Sequence, residues 1–128
     1  MAKVHDPNFV SLVEQSRSKI LECEIEEFCS MLQDGNELLV IDVREKSEFQ
    51  AGHLQGSIHL GKGIIERDIA KQCVEQDHRI VLYCGGGFRS ALAADNLRKM
   101  GWSNVYSLWG GWRAIKSADL DIVAPQSE

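Results

Sequence analysis

The stretch Arg79-Ile-Val-Leu-Tyr-Cys84-Gly-Gly-Gly-Phe-Arg89-Ser-Ala91 decides the fold. Arg79 to Tyr83 is a short, nearly continuous apolar run, the pattern of a strand buried on both faces of a parallel sheet. From Arg89 the chain reads as a helix to Met100, with Ala91, Leu92, Ala94 and Leu97 available for packing and Gly101 as its stop. Cys84 and three consecutive glycines form the joint between strand and helix. In α/β sheets ligand sites lie beyond the carboxyl ends of the strands, so Cys84 stands where chemistry is done.

Working outward, Leu38 to Val43 repeats the buried-strand pattern. A short polar helix, Lys46 to Ala51, follows and stops at Gly52. Ser57 to Leu60 reads as a strand, Gly61-Lys62-Gly63 breaks the chain, and Ile64 to Val74 has helical period. Val105 to Leu108 is the last strand, and Gly110-Gly111 opens a short helix, Trp112 to Ser117. On the other side, Cys23 to Ile25 is a short strand and Ile25 to Leu32 a helix ended by Asp34-Gly35-Asn36. This alternation predicts an α/β fold with a mostly parallel sheet in one domain, residues 23–118. Residues 1–22 form an N-terminal extension: a loose end, then a helix from Phe9 to Leu21 capped by Asn8. Residues 119–128 are a tail, frayed after Val123.

Composition bounds the function. The chain has 128 residues, 14 basic and 19 acidic, for a net charge of -5, which argues against nucleic acid as the main partner. It has no apolar stretch long enough to span a membrane and no apolar secretory leader, so the expected location is the cytoplasm. Cys23, Cys29, Cys73 and Cys84 never occur as Cys-x-x-Cys, which gives a zinc site no support. In a reducing compartment all four are expected to be free, with Cys23, Cys29 and Cys73 as small core residues.

Cys84 has different neighbours. Gly85, Gly86 and Gly87 allow the backbone to curl so that several N–H groups point to one centre, a nest for anions. The helix start adds its positive dipole end, and Arg89 a permanent charge. A thiolate at the floor of such a bowl is stabilised and serves as nucleophile and sulfur carrier. The competing reading is a buried structural cysteine beside a glycine turn.

At this point the chain resembles the rhodanese domain family. The likeness rests on Ile41-Asp42-Val43-Arg44, Glu48-Phe49, Gly52-His53-Leu54, Gly56-Ser57-Ile58, Cys84 to Ser90, then Val105, Leu108 and Gly110-Gly111. It covers roughly residues 23–117 and implies a five-stranded parallel sheet flanked by helices, with the N-terminal helix as an addition. It further implies sulfurtransferase activity through a Cys84 persulfide, without metal or organic cofactor. Cys84 to Arg89 counts six residues, as in the sulfurtransferases of this fold, whereas the related phosphatases carry one residue more and a wider bowl.

The expected site therefore has Cys84 as the catalytic residue, with Gly85, Gly86, Gly87, Phe88, Arg89 and Ser90 holding the substrate. Lys62 either draws an anionic donor toward Cys84 or is a surface lysine. Asp42, Arg44 and Glu48 are expected to be structural, Arg44 pairing with Glu48, and His53 to pack. Trp109 or Trp112 lines the entrance or belongs to the core. The expected partners are a small anionic sulfur donor such as thiosulfate and a thiol or protein-thiol acceptor, the protein being a monomer or weak homodimer. Two other classes remain: a non-catalytic binding module, which usually loses its cysteine, and a phosphatase or arsenate reductase.

Overall fold

The computed structural model describes residues 5–124. The apolar runs become the middle of a five-stranded, wholly parallel sheet in the order β1-β6-β5-β2-β4. Its strands are β1 (Leu21–Cys23), β2 (Leu39–Asp42), β4 (Ile58–His59), β5 (Ile80–Tyr83) and β6 (Val105–Leu108). The two longest apolar runs, β2 and β5, lie side by side inside the sheet, where neither face meets water.

Alternation along β5 builds two cores. Ile80 and Leu82 face one side with Ile65 and Ile69 of α4 (Ile65–Gln72) and Ala93, Ala94 and Leu97 of α5 (Phe88–Lys99). Val81 and Tyr83 face the other side with Phe28 and Met31 of α2 (Ile25–Gln33) and Ile115 of α6 (Gly111–Ser117). Cys84 continues the period and falls in the α5-side core. Cys23 falls in the other.

Several boundaries differ from the sequence reading. α1 runs Pro7–Arg17, capped by Asp6 rather than Asn8: the Asp6 carboxylate accepts from the Phe9 N–H at 3.1 Å, and Pro7 opens the first turn. Residues 5–8 are therefore not a loose end, whereas residues 1–4 lie outside the described range. The helix ends early because Leu21, Glu22 and Cys23 pair with Tyr106, Ser107 and Leu108 as β1. α3 is Lys46–Ala51 as expected. The sequence reading missed β3 (His53–Leu54) and β7 (Ile122–Val123), an antiparallel pair that ties the tail to the domain through Val123. The remainder of the expected tail, 125–128, lies outside the described residues. Cys29 and Cys73 are half-buried, not core, since one sits on the outer part of α2 and the other at the end of α4.

α1 packs on α5. Val13 is fully buried, and the Ser16 hydroxyl donates to the Asp95 carboxylate at 3.1 Å in a buried bond. No described helix is long and apolar enough to cross a membrane.

Candidate functional site

The loop between β5 and α5 is shaped from outside. Gly110 N–H donates to the Gly86 carbonyl at 3.0 Å, Trp112 N–H to Cys84 at 2.7 Å and Arg113 N–H to Gly85 at 3.2 Å. The first amides of α6 thus take three successive loop carbonyls, which turns those peptide planes outward. Gly111 makes this approach possible: it has φ +50°, and a Cβ there would collide with the Cys84 carbonyl oxygen. Gly87 has φ +116°, and a Cβ would come within 2.9 Å of the Trp109 ring.

With the carbonyls engaged, the amides serve the sulfur. Gly87 N–H reaches Cys84 Sγ at 3.1 Å and Ser90 N–H at 3.4 Å. The N–H groups of Gly85, Gly86, Phe88 and Arg89 donate to no protein acceptor among the described residues. They are available to an anion at the helix start. Ser90 Oγ lies 3.5 Å from Sγ and 2.8 Å from Ser107 Oγ, so a buried hydroxyl pair backs the sulfur. Ser107, on β6, was not singled out from sequence; only its contact with Ser90 of α5 reveals it.

A pocket of about 600 Å³ opens above this sulfur, lined by Cys84, Gly85, Gly86, Phe88, Arg89, Glu48, Trp109, Arg113, His5 and Phe9. Arg89 holds Glu48, Nη1 to Oε1 at 3.0 Å and Nη2 to Oε2 at 3.3 Å. The hydrogen bond with Glu48 raises the Arg89 pKa, and the Arg89 bond lowers that of the Glu48 carboxyl. Their charges offset each other at the rim.

The remaining expectations divide. Arg44 pairs with Asp42, not Glu48: Nη2 lies 2.7 Å from Oδ2 and also donates to the Gly52 carbonyl at 2.7 Å. The sequence spacing suggested a helical-turn pair, but Glu48 turns to Arg89 and the Glu45 N–H. Arg44 also lies under the Trp112 ring, 4.6 Å from its centroid, so the Asp42–Arg44 pair supports α6 from below. His53 stacks on Phe49 at 3.6 Å between centroids and is not among the residues around Cys84. Lys62 lines a separate groove with Lys19, Asp95 and Lys99, so the structure does not bring it to Cys84. Trp109 lines the pocket, whereas Trp112 packs against the Tyr83-side core. His5, Phe9 and Arg113 were missed, because nothing in their local sequence marks where α1 and α6 carry them. Among the described residues no cluster of His, Cys, Asp or Glu could hold a metal ion.

A second pocket, about 490 Å³, shares Trp109 and opens beside Cys23, lined by Arg17, Glu22, Glu24, Glu26 and Glu27. The Arg17 guanidinium carbon lies 3.6 Å from the Trp109 ring centroid and its Nε 2.8 Å from Glu22.

The sequence pattern of the rhodanese-like domain matches residues 24–118. Thiosulfate sulfurtransferase GlpE of Stutzerimonas stutzeri is 35% identical over 86 residues, covering 65% of this chain and 77% of the relative. A putative sulfur carrier protein of Bacillus subtilis, YrkF, is 31% identical over 99 residues, covering 77% of this chain and 52% of the relative. The chain spans only 52–57% of the length of the Bacillus subtilis relatives that it matches. The rhodanese-like domain of an Anabaena protein, solved by NMR, superposes with a TM-score of 0.72 at 25% identity, over 80% of this chain and 78% of that one.

Proposed function

Since the chain belongs to the rhodanese-like domain family, we propose that it is a sulfurtransferase that carries a sulfane sulfur on Cys84. The observation that supports this most is the pair of amides, Gly87 and Ser90, directed at Cys84 Sγ from a loop whose carbonyls are engaged elsewhere. A sulfur bound to Cys84 extends into a ring of amides with no other acceptor. Such preorganised donors stabilise negative charge without reorganising during the reaction.

The cycle has two displacements. Cys84 thiolate attacks the outer sulfur of thiosulfate; a new S–S bond forms, the old one breaks, and sulfite leaves with its electron pair. A thiolate or cyanide acceptor then attacks the outer persulfide sulfur, and Cys84 leaves as the thiolate. No proton or external electron is consumed. This chemistry needs Cys84 as a free thiol, and Cys84 is in no disulfide.

The test is loading followed by transfer. Thiosulfate should add one sulfur atom to the Cys84 peptide by mass, and cyanide should remove it as thiocyanate. An unmodified Cys84 in a protein that still turns over would overturn the proposal.

A further inference from the structure

The pocket over Cys84 is far larger than thiosulfate or cyanide requires, and within the ordinary range for organic ligands. Part of its wall comes from outside the matched family span, 24–118. His5, just before α1, and Phe9, in its first turn, complete an aromatic wall with Phe88 and Trp109. Ring centroids are 4.7 Å apart for His5 and Phe88, 5.8 Å for Phe9 and Phe88, and 5.8 Å for Phe88 and Trp109. The wall is anchored rather than draped: buried Val13 and the Ser16–Asp95 bond hold α1 to α5, and Arg17 lies on Trp109.

The charge around this wall is asymmetric. Arg89 is matched by Glu48. Arg113, exposed on α6, has no carboxylate within ion-pair distance among the described residues. Its backbone is held by the bond to Gly85 and the residue lines the pocket, so a cation without a carboxylate partner borders the space over Cys84.

We propose that the pocket selects an organic thiol carrying a carboxylate as the acceptor of the Cys84 sulfur. Its apolar or aromatic body lies on His5, Phe9, Phe88 and Trp109, and its carboxylate meets Arg113. The acceptor thiolate attacks the outer sulfur of the Cys84 persulfide and forms a new S–S bond. The bond to Cys84 breaks with its electrons on Cys84, and the acceptor departs as a persulfide anion. The inference rests on the sulfurtransferase reading and adds the acceptor's chemical class to it.

Three acceptors separate the contributions: 4-mercaptobenzoate has ring and carboxylate, thiophenol the ring alone, and cyanide neither. Each is offered to protein first loaded with thiosulfate and checked for sulfur on Cys84 by mass. Phe9→Ala should raise KM for both aromatic thiols relative to that for cyanide, on the order of fivefold. Arg113→Gln should raise the ratio of KM for 4-mercaptobenzoate to KM for thiophenol, on the order of tenfold. Phe9→Leu replaces Phe9→Ala should the latter not fold, and Arg113 is exposed enough to change without that risk. Failure to load wild-type protein sinks the sulfurtransferase reading itself. Normal loading with ratios unmoved, or with all three acceptors losing equally, overturns the acceptor pocket alone.

Discussion

Cys23 and Cys84 stand at the same carboxyl edge of one sheet, at the ends of strands separated only by β6, and both are almost fully buried. Trp109 lines the pockets beside both. Around Cys84 the neighbours are amides, with an arginine and its partner carboxylate at the rim. Around Cys23 they are carboxylates: burial first, then Glu27 and Glu22, push its thiol up to about 12. Two cysteines alike in burial therefore stand in opposite polar surroundings. What differs is whether the backbone has donors left over, and that depends on where its carbonyls are engaged.

The largest effect that could break this comparison is loss of turnover. Cys84→Ser should lower sulfur transfer by a factor on the order of a thousand or more, whereas Cys23→Ser should remain within about twofold of the wild type. Steady-state transfer from thiosulfate to cyanide measures both. Equal losses would make the two thiols chemically alike and void the contrast. Alkylation is nearly as sharp a discriminator. With its thiol at about 12, Cys23 holds about a thousandfold less thiolate near neutral pH than an ordinary cysteine. Iodoacetamide followed by peptide mapping should mark Cys84 ahead of Cys23 and leave Cys23 unmodified over the same period.

Gly111→Ala tests the source of the donors. The added Cβ meets the Cys84 carbonyl oxygen and the Gly85 backbone, so α6 must back away from the loop. Transfer should fall on the order of a hundredfold, and thermal unfolding should show a loss of about 1–3 kcal/mol. Full activity in that variant would mean that the loop holds its own shape.

A smaller change sharpens the Cys23 side. Glu27 ranks behind burial among the causes of the raised thiol. Glu27→Gln should therefore increase Cys23 alkylation only a few-fold, about what one partly screened charge supplies. A rise to the rate of a free thiol would assign the inertness to charge instead. The mildest effect is on alkaline stability. An unfolded cysteine gives up its proton near about 8.5, whereas folded Cys23 keeps it to about 12. Between those values the folded chain binds more protons, so this contribution to stability is complete below the window and lost as pH rises through it. Cys23→Ser should make alkaline unfolding less steep, with Tyr83, also pushed up to about 12 by burial, left to titrate.

Much of this was legible in the sequence. Strand, three glycines and helix in succession located the loop, because the backbone signals there are local. The strands β2 and β5 were legible for the same reason: a run buried on both faces is apolar throughout. The partners were not legible. Glu48 is in reach of Arg44 by spacing, yet it pairs with Arg89, and only the folded course of α3 against α5 decides between them. Lys62 follows a strand end and still faces the α1–α5 groove. Gly110-Gly111 was visible as a helix start, but its service to the Cys84 carbonyls is a long-range contact with no local signature. The start of α1 was misread because Asn8 is a good cap in isolation, whereas Asp6-Pro7 supplies both the cap and the first helical residue.

The amides of α6 that hold the Cys84 loop also bear on how the protein is made. Cys84 leaves the ribosome well before residues 110–113, so a nascent chain that has completed α5 carries the thiol without the donors for its loop carbonyls. On the proposed reading, the site around Cys84 is complete only once α6 has docked. A chain lacking that helix would keep the cysteine and lose the donors to its loop carbonyls, so on the proposed reading its Cys84 should load sulfur poorly.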